Sequence, residues 1–184
     1  GAIDATNRNA SVTATDDGYR IETPDGPEPV DRVVVTAPGP DAANLLGSVA
    51  TGVEGLADLT YNPLAMVYLR ADIDREGLGY QVGYGEDLHT LGVSWNAQMF
   101  SRDRLYTAYL GGMHEPGIVD RTDGRLGRIA AREFETVTGA HASVLDVHRL
   151  DRGFPAYDRS WDALERVSLP YGVTLATNYT ARMG

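Results

Sequence analysis

Apolar and polar positions alternate along much of this chain, most clearly in its middle. Leu78, Tyr80, Val82 and Tyr84 fall on one side of an extended segment, with Gly79, Gln81 and Gly83 on the other. Leu91, Val93, Trp95 and Ala97 oppose Gly92, Ser94 and Asn96 in the same way. A third run, Leu105 to Leu110, is closed by Gly111-Gly112. Together they predict three strands whose sheet has one bulky face and one bare face. Glycine in a strand marks the close approach of a ligand or of another backbone, and a bare face can accept a flat ligand. The plainer reading is a half-exposed antiparallel sheet whose glycines serve bulges and twist.

The flanking segments are patterned too. Ala10 to Thr15 and Tyr19 to Glu22 read as a hairpin across Asp16-Asp17-Gly18, followed by a turn at Pro24-Asp25-Gly26-Pro27. Val33 to Ala37 is a continuous β-branched run of the kind found in strands covered on both faces. Pro38-Gly39-Pro40 stops it, and Asp41 to Leu46 predicts a short helix ended by Gly47. Leu64 to Leu69 predicts a second strand apolar on both faces. Leu126, Ile129, Ala130, Phe134 and Val137 form a helical stripe, which predicts a helix capped by Asp123, running through about Thr138 and closed by Gly139. Val144 to Leu150 and Val173 to Ala176 read as strands, and Ser160 to Glu165 as a short helix with a capping-box character. The whole is mixed α and β with an antiparallel middle.

Composition narrows the chemistry. The 184 residues carry a net charge of −10, which argues against a nucleic-acid partner. All 16 basic residues are arginine, a surface suited to staying hydrated at high salt and equally the product of a GC-rich genome. The absence of cysteine excludes disulfides, thiolate metal sites and thiol catalysis. There is no G-x-G-x-x-G, P-loop, nucleophile elbow or zincin motif. None of the four histidines, His89, His114, His141 and His148, has a metal-ligand partner at helical spacing. Asp146 and His148 share a strand face and are the one candidate acid/base pair, although an exposed ion pair is the plainer reading. No catalytic or metal-binding residue is therefore assigned. The polar start carries no signal peptide, and no apolar run approaches a membrane span, so a cytoplasmic location is expected.

Taken in order, the segments resemble the flavin-dependent amine oxidases. Asp31-Arg32-Val33-Val34-Val35-Thr36-Ala37-Pro38 after a hairpin is similar to their "D-x-V-V-x-A-x-P", and Tyr61 with Met66-Val67 and Leu69 to the strand that follows. Within that superfamily the middle resembles the protoporphyrinogen oxidases. Gly77-Leu78-Gly79-Tyr80-Gln81-Val82 is similar to "G-F-G-x-L-V-P", Leu91-Gly92-Val93 with Met99-Phe100 to "L-G-x-x-x-x-S-x-x-F", and Leu110-Gly111-Gly112 matches "L-G-G". Val147-His148-Arg149 with Phe154-Pro155-Ala156-Tyr157 is similar to "V-x-R-W-x-x-A-x-P-Q-Y", and Ala176-Thr177-Asn178-Tyr179 to the closing flavin motif "A-G-N-Y". Departures fall at Leu150 for tryptophan, Ala156 for glutamine, Ser160-Trp161 for Gly-His and Thr177 for glycine.

The resemblance implies an α+β fold: an antiparallel or mixed-sheet substrate-binding domain over about 48–150, with flanking pieces of an FAD-binding α/β domain at 1–47 and 151–184. It implies FAD as the cofactor of a longer protein whose dinucleotide-binding half lies outside this chain, so that this part alone neither retains FAD nor turns over. Val12, Ala37, Pro38, Asn178 and Tyr179 are the residues it places near FAD, and Leu78, Gly79, Tyr80 and Gln81 those it places near the substrate. The implied substrate is a porphyrinogen, oxidised to a porphyrin in haem synthesis, with a peripheral membrane contact as a further expectation. The alternatives are another amine oxidase, a carotenoid desaturase, or a non-catalytic module binding a flat hydrophobic ligand.

Overall fold

The computed structural model describes residues 11–180. They divide into two compact units, one formed by 11–60 with 155–180 and the other by Tyr61–Phe154.

The first unit opens with three antiparallel strands, β1 (Ser11–Thr15), β2 (Gly18–Thr23) and β3 (Gly26–Val30), in that order across the sheet. The predicted turn at Pro24 to Pro27 is shorter than expected, because Gly26 already pairs with Thr23. Pro27 and Pro29 disguise β3 in the sequence. It is an edge strand, where a missing N–H costs no ladder bond. Next come β4 (Val33–Val35) and α1 (Gly39–Leu46). Pro38 caps this helix and Pro40 sits in its first turn, where no N–H is needed, so α1 begins earlier than Asp41. The run Val33 to Ala37 is not covered on both faces. Val33 and Val35 are buried, whereas Val34 is 63% exposed.

The second unit holds β5 (Tyr61–Ala71), β6 (Gly79–Gln81), β7 (Thr90–Ser94), α2 (Asn96–Phe100), β8 (Leu105–Gly111), a 3-10 turn at Pro116–Asp120, α3 (Asp123–Thr138) and β9 (Ala142–Pro155). Its sheet has the order β6-β7-β8-β5-β9. Two predicted strands are cut short. Of Leu78 to Tyr84 the strand keeps Gly79–Gln81, with single backbone bonds from Trp95 N–H to Leu78 and from Val82 N–H to Leu91 beside it, and Tyr84 is solvent-exposed. The strand through Leu91 ends at Ser94; Trp95 turns the chain into α2, so Trp95 and Ala97 do not share a strand face with Val93. β9 is longer than predicted and includes Phe154.

The core of this unit lies between one face of the sheet and α3. Val93, Ala108 and Val67 stand in a row across β7, β8 and β5. They are buried with Leu69, Tyr106 and Leu110 against Leu126, Ile129, Ala130 and Phe134 of α3. Tyr106 and Phe134 meet with ring centroids 5.2 Å apart and tilted. The helical stripe is as predicted, except that Val137 is largely exposed. Thr122 rather than Asp123 holds the cap position, and Gly139 closes the helix with φ 75°.

The chain then returns to the first unit. Arg159–Arg166 is a 3-10 helix capped by Asp158, which accepts from the Ser160 N–H, rather than by Ser160 itself. The last strand, β10 (Val173–Leu175), pairs with β4 in parallel, Val173 opposite Val33 and Leu175 opposite Val35.

Candidate functional site

Strand alternation decides which residues face away from α3. Tyr80 pairs with Val93 and joins the helix-side core, so Gly79 and Gln81, and with them Gly92 and Ser94, lie on the opposite face. That face holds a cleft of about 470 Å³. Its lining includes Leu78, Gly79, Tyr80 and Gln81, which brings all four predicted substrate residues to one place. Leu91, Gly92, Val93 and Ser94 continue the floor, and Leu64, Tyr109 and Phe154 complete it.

The two floor glycines serve the backbone. Gly79 has φ 140°, and a Cβ there would lie 2.0 Å from the Val93 carbonyl oxygen. A Cβ on Gly92 would lie 2.4 Å from the carbonyl oxygen of Tyr80. Each is glycine because the facing strand is too close, and the bare floor follows from that. Polar groups on the floor are few. Ser94 Oγ donates to the Tyr109 hydroxyl at 3.1 Å. Tyr80 Oη is buried with no hydrogen-bond partner among the described residues, and burial, then the nearby Glu133 carboxylate, pushes its pKa up to about 12.

Glu133 holds the cleft from behind. This buried α3 residue accepts the His89 N–H at 3.0 Å and the Thr90 N–H at 2.8 Å, one on each carboxylate oxygen. It thereby fixes the start of β7, whose next residues form the floor. Sequence reasoning placed Ser94 on the bare face without naming it a substrate residue, and did not bring Leu64 or Phe154 to the cleft. Alternation from Gly92 signals Ser94, but nothing local links Phe154 to a strand some sixty positions earlier. The Asp146–His148 pair is exposed on β9, with no ion pair between them among the described residues.

The predicted flavin residues all belong to the first unit. β4 and β10 run parallel, so their carboxyl ends point the same way. Ala37 and Pro38 follow one end, Asn178 and Tyr179 the other. The fully buried Tyr179 ties the two ends together, its hydroxyl donating to the Ala37 carbonyl at 3.1 Å. Asn178 is exposed at that edge. Val12 lies apart, buried in the β1–β3 layer, and its carbonyl accepts from the Ser48 hydroxyl. Carboxyl ends of parallel strands are where open α/β sheets bind nucleotides. The edge made by Ala37, Pro38, Asn178 and Tyr179 lies at that end of the β4–β10 pair. It does not fit a pyrophosphate: no glycine-rich turn opens α1, and its first turn carries the acidic Asp41.

The fold is that of a flavoenzyme domain of α+β type. The chain belongs to the flavin containing amine oxidoreductase family, whose model matches residues 3–184. Three solved structures are similar to it over 92% of its length. They are a protein provisionally named protoporphyrinogen oxidase from Exiguobacterium sp. 255-15 (24% identity, TM-score 0.59), a fatty acid isomerase producing CLA from P. acnes (16%, 0.58) and an oxidoreductase from Methanosarcina mazei (12%, 0.54). At those identities they show likeness of fold. The chain spans 41%, 42% and 43% of their respective lengths.

Proposed function

We propose that the whole protein is an FAD-dependent oxidoreductase that dehydrogenates a flat, largely apolar substrate of the porphyrinogen type. The observation that carries this is the cleft on the bare face of the second unit's sheet, with its apolar walls and backbone-tight floor. A planar, apolar ligand loses little by leaving water for such a floor, and Leu78, Leu64 and Phe154 give it apolar contact. Gly79 and Gln81 let it lie close to β6, and the Ser94–Tyr109 hydroxyl pair orients a polar substituent.

FAD, when bound, supplies the redox chemistry by taking a hydride from the substrate, its electrons passing on to an acceptor such as oxygen. This chain's part is to orient and desolvate the substrate, which agrees with a cleft holding no histidine or carboxylate. In this reading Ala37, Pro38, Asn178 and Tyr179 border the flavin ring, Val12 lies near the cofactor from the β1–β3 layer, and the pyrophosphate is held by the remainder of the protein. We further place the reaction in haem synthesis. No helix of the described residues is long and apolar enough to cross a membrane.

The test is to express the full-length gene product, record its flavin spectrum and assay porphyrinogen, amine and fatty acid substrates. A yellow protein that oxidises the porphyrinogen, and whose Leu78→Asp variant keeps its flavin but loses about tenfold or more in kcat/KM, is the expected result. A colourless product, or turnover of an amine alone, overturns the proposal.

A further inference from the structure

On the side of the sheet away from the cleft, α3 carries three arginines on one stripe, Arg125, Arg128 and Arg132. All three are exposed, and none makes an ion pair among the described residues. Like charges at these spacings destabilise a helix. The helix has three acids, and none of them makes an ion pair with these arginines among the described residues. Asp123 pairs with Arg149, Glu133 accepts two backbone N–H groups, and Glu135 lies 3.9 Å from His141. The three arginines are among the residues lining a groove of about 690 Å³ whose other wall is the segment from Asp87 to His89. That wall is fixed to α3 by the Glu133 bonds. Asp87 is the remaining carboxylate on the lining, and it pairs with none of the arginines among the described residues.

We propose that this groove binds a small polyanion bearing phosphate or carboxylate groups. Adjacent guanidinium forks match the oxygens of either group in a bidentate way, and a single-atom anion gains less from them. The chain's net charge of −10 does not prevent this, since salt screens distant charges within about 8 Å at physiological strength. The site is separate from the cleft and does not depend on the flavin reading.

The probes are pyrophosphate and citrate, titrated calorimetrically into the full-length gene product at constant ionic strength. Saturable binding of one or both is expected, weakened about tenfold or more in the Arg128→Gln/Arg132→Gln double variant. That variant should keep or slightly raise its melting temperature without ligand, because it relieves like-charge repulsion. A single Arg70→Gln change, on the β5 strand outside the groove, should leave binding unaltered. No saturable binding, equal affinity in the double variant, or binding of polyglutamate with neither small anion would each overturn the proposal.

Discussion

Tyr80 packs its ring into the helix-side core and has a hydroxyl with nothing to bond to among the described residues. Removing a buried hydroxyl that lacks a partner relieves its desolvation, so Tyr80→Phe should hold or raise stability at neutral pH. The alkaline limb shows the group directly. Its folded pKa is about 12 and its ordinary value 10.0, so above pH 10.0 the unfolded chain releases a proton that the folded chain keeps. Stability from this group is complete below pH 10.0 and is lost as pH rises towards 12. Urea midpoints should therefore fall less steeply above pH 10.0 in Tyr80→Phe. The fall persists in part, because burial, then Asp74 and Asp72, also raise the pKa of Tyr106. A midpoint curve identical to wild type would refute the assignment. Gly79→Ala should cost about 2–4 kcal/mol, since its Cβ meets a carbonyl and its φ is 140°. Gly83→Ala should be nearly neutral, because the nearest atom is the Glu86 Cγ at 3.9 Å. The two glycines share an alternation phase and look alike in sequence; only the facing strand separates them.

At the scale of elements, two side chains attach α3 and its approach to the sheet. Glu133→Ala strands the buried Thr90 N–H and removes the acceptor of the part-buried His89 N–H, and a loss of about 1–3 kcal/mol in chemical denaturation is expected. Arg149 clamps the segment that leads into the helix. It donates from Nε to the Val119 carbonyl at 2.8 Å and from Nη2 to that of Arg121 at 2.6 Å, and Nη1 pairs with Asp123. Arg149→Met should cost about 2 kcal/mol, with Arg149→Lys restoring less than half, because an ammonium cannot serve three acceptors in one plane. The arginine of the "V-x-R" motif is thus a structural clamp in this chain. The stripe that buries α3 is readable from spacing alone, as are the stops at Gly47, Gly139 and Pro38. β3 is hidden by Pro27 and Pro29, whose presence is tolerated only because the strand is at an edge. The end of β7 is hidden because Trp95 continues the alternation while the backbone turns into α2.

For the molecule as a whole, 26 acidic residues against 16 basic ones predict self-repulsion. Raising sodium chloride to about 1 M, where the screening length is about 3 Å, should raise the melting temperature, measured by scanning calorimetry. A flat or falling salt response would show that the charges are already balanced locally.

Periodicity, proline and glycine stops, and the order of weak motifs are local or sequential properties, and they were enough to indicate the mixed fold, the strands of the cleft floor and the family. Which face is bare, which glycine touches a carbonyl, why Val34 is exposed, and how Leu64, Tyr109 and Phe154 meet on one floor depend on pairings between distant segments. A one-dimensional pattern gives each strand its two faces. Register and neighbour order, set when the chain closes on itself, decide what each face meets.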